Sequence, residues 1–136
     1  LTHVLPLPMK TSTLLAPALC LALAGCDDVA VSVVCPHSLQ PSLVVNVFDS
    51  AGLSVAHETR GWYTVGTLTD SLRHTVQAAD GAPQLVAFGP PGVYQVRIQT
   101  PGQPERTLSG LEVNSAECGP DTRHVNIQLQ PADQGR

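Results

Sequence analysis

Gly92-Val93-Tyr94-Gln95-Val96-Arg97-Ile98-Gln99-Thr100-Pro101-Gly102 alternates without a slip. Tyr94, Val96 and Ile98 point one way while Gln95, Arg97 and Gln99 point the other, the period of two that a strand imposes on its side chains. Alternation this clean means one face in a core and one in water. Pro90-Pro91-Gly92 launches the strand, and Pro101-Gly102 ends it as the central pair of a type II turn, Pro fixing φ and Gly taking the positive value.

Outward from this stretch the same grammar repeats. Downstream, a strand runs from about Arg106 to Val113 and Cys118-Gly119-Pro120 turns the chain. Val125-Asn126-Ile127-Gln128-Leu129-Gln130 then closes the domain with apolar residues inward and amides outward. Upstream, Gln84 to Phe88 is short and strand-like, and Gly61 to Leu68 reads as a strand broken or bulged at Gly66. Leu43-Val44-Val45-Asn46-Val47-Phe48 places Leu43, Val45 and Val47 on one face; Val44 and Phe48 on the other suggest that both sides are partly covered. Asp49-Ser50-Ala51-Gly52 is a turn, Asp bonding the backbone ahead and Gly tolerating positive φ. Asp70 to Ala82, polar and small, reads as a long surface connection. Helical periodicity is hard to find after Cys26. The expectation is an all-β chain, a single antiparallel β-sandwich of about seven short strands with turn signals every ten or so residues.

The succession Val45 to Gly52, Gly92 to Ile98 with Pro101-Gly102, Leu111-Glu112-Val113 and Val125 to Leu129 resembles the carboxypeptidase regulatory-like domain. The Gly-x-Tyr-x-Val strand at Gly92 to Val96 is the most recognisable piece. The likeness spans about Pro41 to Pro131 and implies a transthyretin-like (prealbumin-type, Ig-like) sandwich, generally a non-catalytic module. Two departures stand against it: Gln103 where an aromatic often follows the turn Gly, and the length of Asp70 to Ala82.

The N-terminal region reads as an address label. Lys10 is followed by an apolar run from Leu14 to Ala24, broken only by Pro17, and by Leu23-Ala24-Gly25-Cys26, which resembles the lipobox of bacterial lipoproteins. The resemblance implies a signal peptide over 1–25 and lipidation of Cys26. Segment 26–40 would be a tether, 41–131 the sandwich and 132–136 a tail. Met9 is the expected start, with 1–8 a mis-called extension. A plain secretory signal is the nearer alternative; a membrane-spanning helix needs about 20 apolar residues, and this run is shorter. More than one acyl chain is what stable anchoring requires. The expected place is therefore outside the cytoplasm, tethered to an envelope membrane, on the periplasmic side or at the cell surface.

Of the four cysteines, Cys20 leaves with the signal and Cys26 takes the lipid. Cys35 and Cys118 remain, in an exported chain most simply one disulfide. Closing so long a loop is worth roughly 4 to 5 kcal/mol in loop-closure entropy. Two free thiols or a metal pair are the alternatives, although no CxxC or zinc-type Cys/His spacing is present.

With Lys10, one of seven Lys and Arg residues, removed, six Arg face eleven Asp and Glu, and the formal net charge moves from −4 to −5. A weakly acidic chain without a basic cluster argues against nucleic acid as a partner. Catalytic motifs are scarce. His57-Glu58 begins like a zinc-protease helix, but Gly61 stands where the second His belongs, and His37, His74 and His124 fall on different segments. Neither Gly-x-Ser-x-Gly nor a phosphate-cradling glycine loop occurs, and the Tyr-Arg-Gly-Ser signature of transthyretin-like hydrolases is missing. No metal or cofactor is expected. Trp62-Tyr63 is the one pair whose exposure on a sheet face would suit stacking on a sugar or a partner's apolar side chain. The expected function is a non-catalytic, membrane-anchored binding or structural module whose partner is an envelope protein or a glycan. An envelope hydrolase and a module that self-assembles through a sheet edge are the alternatives.

Overall fold

The structure, a computed structural model, describes residues 32–77 and 79–131. The expected signal peptide, Cys26, the first part of the tether and the tail over 132–136 lie outside the described residues.

Ten strands make up the described chain: β1 (Leu43–Phe48), β2 (Arg60–Val65), β3 (Leu68–Ser71), β4 (Arg73–Val76), β5 (Pro83–Ala87), β6 (Gly92–Gln99), β7 (Arg106–Val113), β8 (Ser115–Ala116), β9 (Gly119–Pro120) and β10 (Arg123–Gln128). No helix is found among the described residues. A first sheet has the order β10-β1-β5-β4, a second β3-β2-β6-β7, and β8-β9 form a small ribbon. The arrangement is all-β and sandwich-like. Two features correct the sequence expectation. The strands number ten, and the first sheet is mixed, because β1 and β10 run parallel, Val45 opposite Val125 and Val47 opposite Ile127.

Asp70 to Ala82 is also corrected. It holds the end of β3 and all of β4, two edge strands whose residues are exposed, which is why they read as a loop. Between them the chain steps from the second sheet to the first at Leu72, which is buried and donates its N–H to the Gly61 carbonyl at 2.8 Å. Gly61 leaves the room for it: a Cβ there would collide with Leu72 Cδ1.

The core lies between the two sheets. β1 contributes Leu43, Val45 and Val47, β5 Leu85 and Ala87, β10 Val125 and Ile127. The second sheet answers with Tyr63, Val65, Tyr94, Val96 and Ile98. Strict alternation over β6 is borne out, Tyr94, Val96 and Ile98 being buried while Gln95, Arg97 and Gln99 are exposed. Tyr63 and Tyr94 stack with ring centroids 5.6 Å apart. Both phenols reach the segment after β5: Tyr63 donates to the Phe88 carbonyl at 3.0 Å, and Tyr94 donates to the Pro90 carbonyl at 2.7 Å with Ser42 Oγ 2.9 Å away. Buried polar tips that find partners in this way tie one sheet to the other. Burial pushes both phenols above their ordinary pKa; for Tyr63 the negative charge of Asp70 adds to the effect.

The turns are the expected ones. Asp49 Oδ1 accepts the N–H groups of Ala51 and Leu53 at 2.9 Å each, and Gly52 takes φ +83°. Across Pro101-Gly102, the Gln103 N–H meets the Thr100 carbonyl at 3.1 Å. A bulge that sequence reading missed lies in β7, where Leu108 pairs with Val96 but Leu111 with Tyr94. Gly110 at φ +70° absorbs the extra residue.

Cys35 and Cys118 form a disulfide across 83 positions, with Cα atoms 5.2 Å apart. Cys118 sits in the turn of the β8-β9 ribbon, so the bridge clasps the incoming chain to the ribbon.

Candidate functional site

The alternation that organises β6 fails on β1. Its outward residues are Val44, Asn46 and Phe48, and Val44 is only 5% exposed. The register explains this. In one row across the first sheet, Val44 lies between Val86 of β5 and His124 of β10, and Val86 in turn pairs with Arg73 of β4. Val86 is likewise 5% exposed, so this outer face has a covered aliphatic floor.

Beside that floor runs a row of amides. Gln84 Nε2 donates to Asn46 Oδ1 at 3.0 Å and Asn46 Nδ2 donates to Asn126 Oδ1 at 2.9 Å, while Gln77 Oε1 lies 3.4 Å from Gln84 Nε2. Gln84 is 9% exposed, low for an outward-facing glutamine. The amides are therefore held in one arrangement by their neighbours, and no buried side-chain polar atom lacks a partner among the described residues. Pro41 and Phe88 stand at one margin and Thr75 to Gln77 at another, enclosing a groove of about 510 Å³. The Arg73 guanidinium lies 5.9 Å from the centroid of the Phe88 ring. Such a groove, part aliphatic and part fixed amide, can hold a ligand by hydrogen bonds and apolar contact.

The residues singled out from sequence are placed elsewhere. Trp62 and Tyr63 point to opposite faces of β2: Tyr63 is 1% exposed in the core, whereas Trp62 is half-buried on the outer face of the second sheet, with the Arg97 guanidinium 5.9 Å from its ring centroid. His57 and His74 share the lining of a cleft of about 390 Å³ with Thr75, Val76 and Pro83. The His57 ring lies 3.2 Å from Glu58, both side chains being more than half exposed, and the His74 ring meets the Thr59 carbonyl at 2.9 Å. Ser54 Oγ donates to the Pro83 carbonyl at 3.2 Å. His124 lines the amide groove and His37 lies exposed on the incoming arm, so the histidines are not brought to one point. No group of three or more metal-ligating side chains occurs among the described residues.

The strand edges β7 and β10 are engaged by side chains. Arg106 of β7 donates to the Gln128 carbonyl at 2.7 Å, Arg123 of β10 to the Glu112 carbonyl at 3.1 Å, and Gln103 to the Gln130 carbonyl at 3.0 Å. Carbonyls so occupied are withdrawn from pairing with another strand.

Sequence reading missed Asn46, Gln84 and Asn126 as a set, because they come from three strands whose order is not local. Its nearest signal was the apolar character of both faces of β1. No family model matches the chain, and no curated protein matches it.

Proposed function

We propose that this chain is a non-catalytic binding module of the cell envelope, held to a membrane by acyl chains on Cys26 and built on the prealbumin-type plan of the carboxypeptidase regulatory-like domain. The observation that carries the binding part is the groove on the outer face of the first sheet, where Val44, Val86 and Gln84 are all under a tenth exposed although they face away from the core. A sheet face that only met water would have no need of such a covered floor.

The export part is supported by two sequence features and one structural one. Leu23-Ala24-Gly25-Cys26 carries the small residues and thiol that a lipid-transferring system needs, and an apolar run precedes it. The Cys35–Cys118 disulfide is compatible with an oxidising compartment. The test is fractionation of the producing host. The native protein is expected in the membrane fraction and the Cys26→Ala variant in the soluble one; continued membrane association of Cys26→Ala contradicts the anchor.

A further inference from the structure

We propose that the groove on the outer face of the first sheet takes a linear, uncharged oligosaccharide laid across the strands. This inference rests on the binding-module reading above and names the ligand class. Its first support is the hydrogen-bonding inventory of the amide row. A primary amide offers two donors and two acceptor lone pairs, and the bonds among Gln84, Asn46 and Asn126 use only part of that capacity. The second N–H of Asn46, the amino group of Asn126 and the carbonyl oxygen of Gln84 stay free to pair outward. Donors and acceptors thus succeed one another along a line, spaced by the roughly 4.8 Å that separates strands. The hydroxyls that recur along a linear sugar chain are each both donor and acceptor and can pair with either kind of group; a ligand group that only donates or only accepts serves part of the row.

The second support is the floor. The Val86–Val44 row runs beside the amides, with Phe88 at its margin. Val44 and Val86 are themselves almost covered, so the apolar surface offered to the C–H face of a sugar ring is that of Phe88 and Val76, which line the groove and are exposed, while the amides take the ring's hydroxyls. Mutual bonding and low exposure hold the amides in position beforehand, which spares part of the ordering entropy of binding.

The third support is charge. Among the residues that line the groove the one titratable side chain is His124, and no carboxylate lines it. A polycation would find no carboxylate along the groove, and the one guanidinium that the register places on the Val86–Val44 row, that of Arg73, lies against the Phe88 ring, so a polyanion would find no repeating counter-charge; burying an unpaired charge is costly. An extended peptide is the competing occupant. It gains affinity by adding its backbone to a free strand edge, but here the site is a face; of the two edges of this sheet, β10 has the Gln128 and Gln130 carbonyls already taken by Arg106 and Gln103, and a peptide added along β4 would run beside the amide row and not across it.

The test titrates the full chain by calorimetry with four probes: a β-1,4-linked tetrasaccharide of glucose, the same of N-acetylglucosamine, a tetragalacturonate, and an uncharged Ala/Ser peptide of similar length. Saturable binding of a neutral tetrasaccharide is expected, weakened at least tenfold, or about 1.4 kcal/mol, by Asn126→Ala. Asn126 is exposed, so this variant should keep its melting temperature. Gln84→Glu should weaken neutral sugars while leaving the shape of the floor intact, and Trp62→Ala, on the other sheet, should leave binding unchanged. Absence of saturable binding by either neutral tetrasaccharide overturns the proposal, as does tighter binding of the tetragalacturonate. Peptide binding that Asn126→Ala abolishes also overturns it while sparing the binding-module reading. Loss of sugar binding in Trp62→Ala but not in Asn126→Ala would place the ligand on the wrong sheet and overturn it too.

Discussion

The two outer faces of this molecule are made from the same kinds of residue and yet behave differently. On the second sheet, Gln95, Arg97 and Gln99 stand out into water, Thr64 meets Thr69 at 3.1 Å, and Trp62 lies under the Arg97 guanidinium. On the first sheet, Val44, Val86 and Gln84 are nearly withdrawn from water and the amides bond one another across three strands. The first of these patterns is what a solvated sheet face needs and no more. The second places buried aliphatic surface on the side away from the core, and that surplus is why the proposed binding site is put there and not at the lone tryptophan.

If the comparison holds, both faces ride on one clasped body. The most severe perturbation is therefore the loss of the Cys35–Cys118 bridge, which should lower stability by roughly 4 to 5 kcal/mol. For a domain of this size that corresponds to a fall in Tm of more than about 15 °C, read by calorimetry of Cys118→Ser. An unchanged Tm would mean that the bridge restrains nothing. Next comes a matched pair of truncations. Val86→Ala should cost about 2 kcal/mol, from the methyl groups removed and the space left behind, whereas Thr64→Ala on the opposite face should stay within roughly 0.5 kcal/mol. Equal costs in urea melts would erase the distinction between the faces.

A finer version of the same contrast uses two glutamines. Gln84→Ala removes the donor to Asn46 and should cost about 1 kcal/mol; Gln95→Ala, whose side chain reaches Ser109 Oγ at 3.3 Å on an exposed face, should cost close to nothing. The faintest effect is one of pH. Tyr63 and Tyr94 have pKa values raised by burial, so their contribution is complete below the unfolded phenol value of 10.0 and is lost as pH climbs through the higher folded values. Ultraviolet titration should find these two phenols ionising later than free tyrosine, and the stability they contribute should fall as pH climbs above 10.0. Ordinary titration of both would contradict their placement between the sheets.

Much of the fold was legible because its signals are local. The Tyr94-Val96-Ile98 alternation, the Asp49 to Gly52 turn and the Pro101-Gly102 turn each lie within a few residues, and the structure places all three as read. The end of β3 and all of β4 were invisible within Asp70 to Ala82, since edge strands with every residue exposed carry no hydrophobic alternation. The parallel pairing of β1 with β10 was equally hidden, because strand order is set by packing of distant segments and not by either segment's own pattern. The groove suffered from both problems. Asn46, Gln84 and Asn126 look like ordinary solvent-facing amides one at a time, and only the register of β5, β1 and β10 lines them up. Trp62-Tyr63 shows the reverse: an aromatic pair conspicuous in sequence is divided between core and surface by the period of two.

The most direct test follows the side-chain amide resonances of Asn46, Gln84 and Asn126 in the ¹⁵N-labelled protein while a neutral tetrasaccharide is added. The account predicts progressive, saturable shifts of these three, accompanied by the Val44 and Val86 methyl signals, with the Trp62 indole N–H unmoved. Shifts centred on Trp62 with the three amides silent would contradict it.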